Sequence, residues 1–140
     1  MKSIFDLLGR LFLSFIFFYE VIDTIKYFKE TKLRMTEYGI TWQQDFLLYG
    51  ALALLIFGAT MLLTGYRAKT GSFLLLLYWI PVTFILHNFW IHPQGDTYRL
   101  ESILFMQHIA ITGGLMMVFA NGVGAYSVKR LFATSRVRNS

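Results

Sequence analysis

Six polar side chains stand inside stretches that are otherwise apolar: Glu20 and Asp23, His87 and Asn88, Gln107 and His108. Imidazoles and amides set among aromatic residues can hydrogen-bond the carbonyl or hydroxyl oxygens of a small ligand, and buried acid–histidine chains can relay protons. Trp79, Phe84 and Trp90 offer aromatic walls for such a pocket. A quinone or another small redox ligand is what a pocket of this kind would take. Glu20, His87 and His108 also have donors that suit zinc or iron, but no close HxxxH or ExxH spacing supports a metal site. The same groups serve equally as glue, an acid bonding a histidine across a helix interface to fix helix order. The spacing leaves ligand pocket, proton relay and glue open, and it marks no catalytic residue.

The elements that must position these residues are membrane spans. Segment 71–90 runs almost twenty residues without a formal charge, which at about 1.5 Å per residue crosses a hydrocarbon core of about 30 Å. Segments 4–25, 45–64 and 102–121 have the same character, and the pattern predicts an all-α integral membrane protein, a four-helix antiparallel bundle in one domain. On the first segment Asp6, Glu20 and Asp23 share one helical face, and Asp6 and Arg10 stand at i, i+4 with the acid first, a favourable helix pair. Ala51, Gly58 and Gly65 fall seven apart and let a neighbouring helix approach; Gln107, Gly114 and Asn121 form a second such seam. Pro81 removes the partner of the Leu77 carbonyl and should kink the third span.

Composition narrows the class. The chain has 140 residues, 56% hydrophobic and 15% charged, with no cysteine. That is too apolar for a soluble domain and excludes disulfides, thiolate metal sites and thiol chemistry by this chain itself. The formal charge of +5 lies beside apolar runs, which points to anionic lipid head groups, with no nucleic acid partner. The first segment is too long for a signal peptide and is followed by Glu20, Asp23 and Lys26 where a cleavage site would stand, so it is expected to be retained. Gly113-Gly114 lacks the context of a phosphate loop, and no serine stands in a nucleophile elbow.

Eight lysines and arginines fall on the side of the termini and five on the other, so the positive-inside rule leans toward cytoplasmic termini. The 26–44 connection is rich in aromatics and suits the head-group region of the outer face, while 125–140 is a short basic tail. In antiparallel spans Glu20, Asp23, His87, Asn88, Gln107 and His108 then share one depth, in the outer half of the bundle. Ionisable groups there cost several kcal/mol unless paired or wet, so they are expected to face one another.

At these same residues the chain resembles the DoxX family of small four-helix membrane proteins. Gly9-Arg10 opens the first span as in that family, and Tyr38-Gly39-Ile40 resembles its first-loop pattern. LLTGYRAKTGSFLLLL resembles its second turn, and His87-Asn88-Phe89-Trp90 with QHIAITGGLMMVFANG is the most specific part. Family members often carry a glutamate in the second span, where YGALALL has none, and tend to show Lys-Asn where Gln107-His108 stands. The resemblance implies a subunit or accessory of a bacterial cytoplasmic-membrane redox system, linked to quinone or to oxidant defence, with a protein partner. Any sulfur chemistry would belong to that partner. The rival expectation is a non-enzymatic assembly, scaffold or cargo-binding protein acting through the 26–44 loop; the sequence does not fix the oligomeric state.

Overall fold

A computed structural model describes residues 1–124 and 126–128. Among them are five α-helices: α1 (Lys2–Lys26), α2 (Phe28–Glu37), α3 (Gln44–Thr64), α4 (Ala68–Leu86) and α5 (Asp96–Asn121), with a short 3-10 turn at Phe89–Ile91 and no strand. The expected basic tail at 125–140 lies outside the described residues except for 126–128. Three segments, Gln44–Thr64, Ala68–Ile91 and Asp96–Asn121, are long and apolar enough to cross a membrane. Helix α1 has 25 residues, but Lys2, Asp6, Arg10, Glu20, Asp23 and Lys26 break up its apolar run. The expected count of four helices is thus exceeded by one. The extra helix is α2, inside the stretch read as a connection; it buries none of its residues.

Helix α1 packs on α3, α3 on α4, and α4 on α5, while α5 meets α1 more sparingly, with Leu13 against Gly114. Phe17, Leu55, Leu62, Leu75 and Leu115 are fully buried between them, together with Trp79, whose ring meets Phe17 edge to face at 5.0 Å. Of the small residues spaced along α3, Gly58 meets α4 directly. A Cβ on Gly71 would lie 2.8 Å from the Gly58 carbonyl oxygen, so α3 and α4 touch backbone to backbone at that point. Gly71→Ala is therefore expected to force the two helices apart and cost about 1–3 kcal/mol, read as lost resistance to unfolding in detergent. An unchanged stability would mean that the contact has slack.

The ends of the spans on the side of the termini are stitched by one buried cation. Arg10 is 1% exposed. Its Nε donates to Asp6 Oδ2 at 3.1 Å, and Nη1 to the Leu62 and Leu63 carbonyls at 3.3 and 3.5 Å. Its Nη2 donates to the Tyr126 carbonyl. Those of Leu62 and Leu63 are last-turn carbonyls of α3, which have no partner within their own helix. Asp6 in turn accepts from the Gly124 amide at 3.0 Å, so the segment after α5 is held by the first helix. Gly65 closes α3 at φ +71, and a Cβ there would stand 2.6 Å from Arg10 Nη1. Glycine is required on both counts.

Candidate functional site

The sequence places a polar patch on one side of α4. Trp79, Thr83 and His87 follow at intervals of four, which puts them on a common helical face. Helix α4 ends at Leu86, earlier than the expected 90, and His87 takes its C-cap position, where it leaves the helix. Helix α5 begins at Asp96, six residues earlier than expected, with the acid in its first turn where the helix dipole favours it. That early start brings Glu101 onto α5. Glu101 and His108 are seven apart, two helical turns, and both face α4.

The result is a compact cluster. His87 Nδ1 lies 2.8 Å from Glu101 Oε2. The His87 and His108 rings meet edge to face at 4.4 Å. His108 stacks flat on Trp79 at 4.2 Å, its Nδ1 is 3.1 Å from Thr83 Oγ1, and its backbone carbonyl accepts from Trp79 Nε1 at 3.3 Å. Thr83 donates its single hydroxyl proton to the Trp79 carbonyl at 2.7 Å. The threonine oxygen can then only accept from the ring, so His108 carries its proton on Nδ1 and presents a lone pair on Nε2. His87 likewise directs Nδ1–H at the Glu101 carboxylate, which fixes its ring and leaves Nε2 unused by the bonds described.

Helix α1 closes the remaining side. Glu20 is half-buried, with the Tyr78 hydroxyl and His87 nearby and Asp23 one turn away. Above the cluster the 26–44 segment folds back over the end of α4. Tyr38 donates to the Leu86 carbonyl at 3.1 Å, and Gln44 Nε2 ties the α2–α3 turn to Thr36 Oγ1 and the Ile40 carbonyl at 2.8 and 2.7 Å. Burial, with Glu101 nearby, holds the Tyr38 hydroxyl above the ordinary tyrosine range, so it remains a donor at neutral pH. Lys32 pairs with Asp45 at 2.8 Å across the same turn.

Not every candidate residue meets there. Glu20, Trp79, His87 and His108 come together, Asp23 stands beside Glu20, and Asn88 lies next to His87 with its Oδ1 buried and unpartnered among the described residues. Gln107 is exposed on the other side of α5. It has the depth of His108, but neighbours on a helix point about 100° apart, and depth alone cannot place a side chain. Phe84 and Trp90 are 51% and 54% exposed and pack on Phe105, outside the histidine pair. No group of three or more His, Asp or Glu among the described residues could hold a metal ion. Glu101 and Thr83 were not among the sequence candidates. The seven-residue step from Glu101 to His108 and the four-residue step from Thr83 to His87 are the signals that could have found them.

This architecture and its motifs define a membrane protein of the DoxX family, to which the chain belongs: the DoxX family model matches residues 5–88. Among curated proteins, the Surfeit locus protein 4 homolog of Schizosaccharomyces pombe is 28% identical over 128 residues, 91% of this chain and 37% of that protein. The chain thus spans well under half the length of the curated relative it matches. No solved structure matches.

Proposed function

We propose that this DoxX-family protein is a four-span subunit or accessory of a membrane redox system, and that its histidine pair holds a small redox ligand of the quinone class. One observation carries the reading: two touching imidazoles have their Nδ1 atoms engaged, by Thr83 and by Glu101, and keep both Nε2 atoms for a guest. His108 Nε2 accepts from a ligand hydroxyl; His87 Nε2, when it carries a proton, donates to a ligand carbonyl. Trp79 orients the His108 ring from behind, and Glu20 with Tyr78 supplies a further polar wall. A bound quinone would supply two-electron chemistry that a chain without cysteine lacks. Protein isolated in mild detergent should carry extractable quinone and lose it in His87→Ala and in His108→Ala. Ligand-free protein whose cellular role survives both changes would remove this reading.

A second reading rests on α2. This helix is held across the polar cluster by side-chain latches yet buries nothing, which leaves its surface open to a protein partner as assembly, scaffold or cargo-binding factor. It predicts that replacing residues 26–44 abolishes the cellular role while the histidine variants retain it.

The fourth span in this proposal is α1. Its exposed side is apolar (Phe5, Phe12, Phe15, Tyr19 and Ile22), while Asp6, Arg10, Glu20 and Asp23 turn inward. With lysines and arginines split eight against five, the termini belong in the cytoplasm of a bacterial cell, and the histidine pair in the outer half of its cytoplasmic membrane. Single cysteines at Ser3 and Thr70 should be labelled from one face of the membrane, and those at Thr41 and Gln94 from the other. Labelling of Ser3 and Thr41 from the same face would mean that α1 does not cross.

A further inference from the structure

Helices α1 and α5 touch in the half of the bundle that holds the termini and part in the other half. A Cβ on Gly114 would lie 3.3 Å from a Leu13 methyl, and Asp6 accepts from the Gly124 amide at 3.0 Å. Seven residues outward from the Leu13–Gly114 contact, about 10 Å along each axis, α1 carries Glu20 and α5, running the other way, carries Gln107. A seven-residue step returns to within about 20° of the same azimuth, so each side chain stands on the flank that its helix turns toward the other. Close packing there would bury both. Gln107 is instead exposed and Glu20 only half-buried. The course of α1 accounts for the gap. Its continuation α2 is drawn toward α3, by Phe28 against Tyr49 with ring centroids 5.5 Å apart and by the Lys32–Asp45 pair at 2.8 Å.

The outer halves of α1 and α5 therefore flank a cleft that opens sideways into the bilayer. Its floor is the outer end of α4, where Tyr78 and His87 lie near Glu20. Its rim is apolar, with Ile16 on α1 and Ala110 on α5 both exposed. Gln107 stands about 9 Å beyond Glu101, the last charged residue of α5, and acyl chains at that depth offer an amide or a carboxyl no partner. Two polar groups at the mouth of an apolar slot that leads to a pair of imidazoles suit one kind of occupant. That occupant has an oxygen-bearing ring and a long apolar chain. A quinone ring carries oxygens at opposite ends: one reaches the imidazole Nε2 atoms, and the other remains for the mouth. There the Gln107 amide donates to a ring carbonyl, and the Glu20 carboxylate accepts from a ring hydroxyl.

We propose that the α1–α5 cleft is the entrance and chain site for the ligand of the histidine pair: a quinone-class lipid enters sideways from the bilayer, Gln107 and Glu20 hold the near side of its ring, and its chain runs out between the two helices. This rests on the quinone reading above and adds the route and the groups that recognise the far oxygen. The test uses tritiated decyl-benzoquinone and the whole chain in liposomes. Gln107→Leu should raise the dissociation constant about tenfold, the loss of one hydrogen bond to the ring, and Gln107→Asn should keep more of the affinity. Gln107→Phe, which fills the mouth, should slow exchange, whereas Met106→Phe, the same bulk about 100° round the helix, should not. Gln107 and Met106 are exposed, so these variants should fold, which helical content in detergent will verify. If Gln107→Phe misfolds, the affinity of Gln107→Leu and a labelling experiment decide. A decyl-benzoquinone with a diazirine at the end of its chain should label α1 and α5 near Ile16 and Ala110, and excess unlabelled quinone should suppress that label. Label at Phe57, exposed on α3, should not respond to the competitor. Wild-type protein that binds no decyl-benzoquinone would remove both this proposal and the reading it rests on. Unchanged affinity in Gln107→Leu, unchanged exchange in Gln107→Phe, or competable label on α3 would each remove the cleft and leave the histidine reading standing.

Discussion

Arg10→Met should be the most destabilising single change in the protein, by about 3–5 kcal/mol. The guanidinium is almost fully buried and spends its donors on one carboxylate and three backbone carbonyls contributed by α1, the end of α3 and the segment after α5. Methionine fills much of the volume but leaves the Leu62 and Leu63 carbonyls without their donor and the Asp6 carboxylate without its cation, with only the Gly124 amide remaining to it, and unpaired buried polar groups carry the cost of their desolvation. Arg10→Lys should recover little, because a single ammonium cannot span donors that diverge toward three elements. Adding Asp6→Leu to Arg10→Met should hurt less than the sum of the two changes, since the second then removes the stranded charge. Unfolding in mixed detergent micelles measures all four proteins. A loss below about 1 kcal/mol for Arg10→Met, the size of a surface pair, would mean that water reaches the site and that the knot is ornamental.

Glu101→Leu should have the largest effect on the candidate site. It removes the acceptor that fixes the His87 ring, a hydrogen bond to a charged group worth about 1.5–3 kcal/mol, and frees the imidazole to turn away from His108. Quinone retention is expected to fall at least tenfold, close to the loss in His87→Ala, and the double variant should be no worse than either single one. Glu101→Gln keeps an acceptor and should retain part of the binding. Thr83→Val tests the other ring: without the hydroxyl, His108 is free to move its proton to Nε2, and retention should drop although the side chain keeps its shape. Equal, additive losses from Glu101→Leu and His87→Ala would show that the two residues act separately, and the mechanism proposed for the pair would then fail.

The local physics of the chain made the apolar spans legible. Helix α3 ends where Thr64-Gly65 says it should, and begins one residue ahead of the expected start. The later elements are harder, because the expected spans leave residues 91–101 between them as a loop. Asp96 then starts α5 at once, and so Glu101 becomes a helical residue facing His87. Depth could be read from span order, and it correctly brings His87 level with His108. Azimuth needs the partner helix, which is why Gln107, Phe84 and Trp90 share that depth but turn elsewhere. The Asp6–Arg10 spacing reads as a helix-surface ion pair; that Arg10 reaches Leu62, 52 positions away, is set by packing no local pattern contains. The aromatic 26–44 stretch announces an interfacial segment, but not that Tyr38 would tie it to α4.

The Arg10 knot has a consequence for how the chain is made. Tyr126, whose carbonyl Arg10 uses, leaves the ribosome 116 residues after it. During that interval Arg10 has Asp6 on its own helix and then the α3 carbonyls as partners, and the closing segment completes the set. A polypeptide that stops short of Gly124 lacks the Tyr126 acceptor for Arg10 and the Gly124 donor for Asp6, and should hold the joined ends of α1 and α3 less firmly.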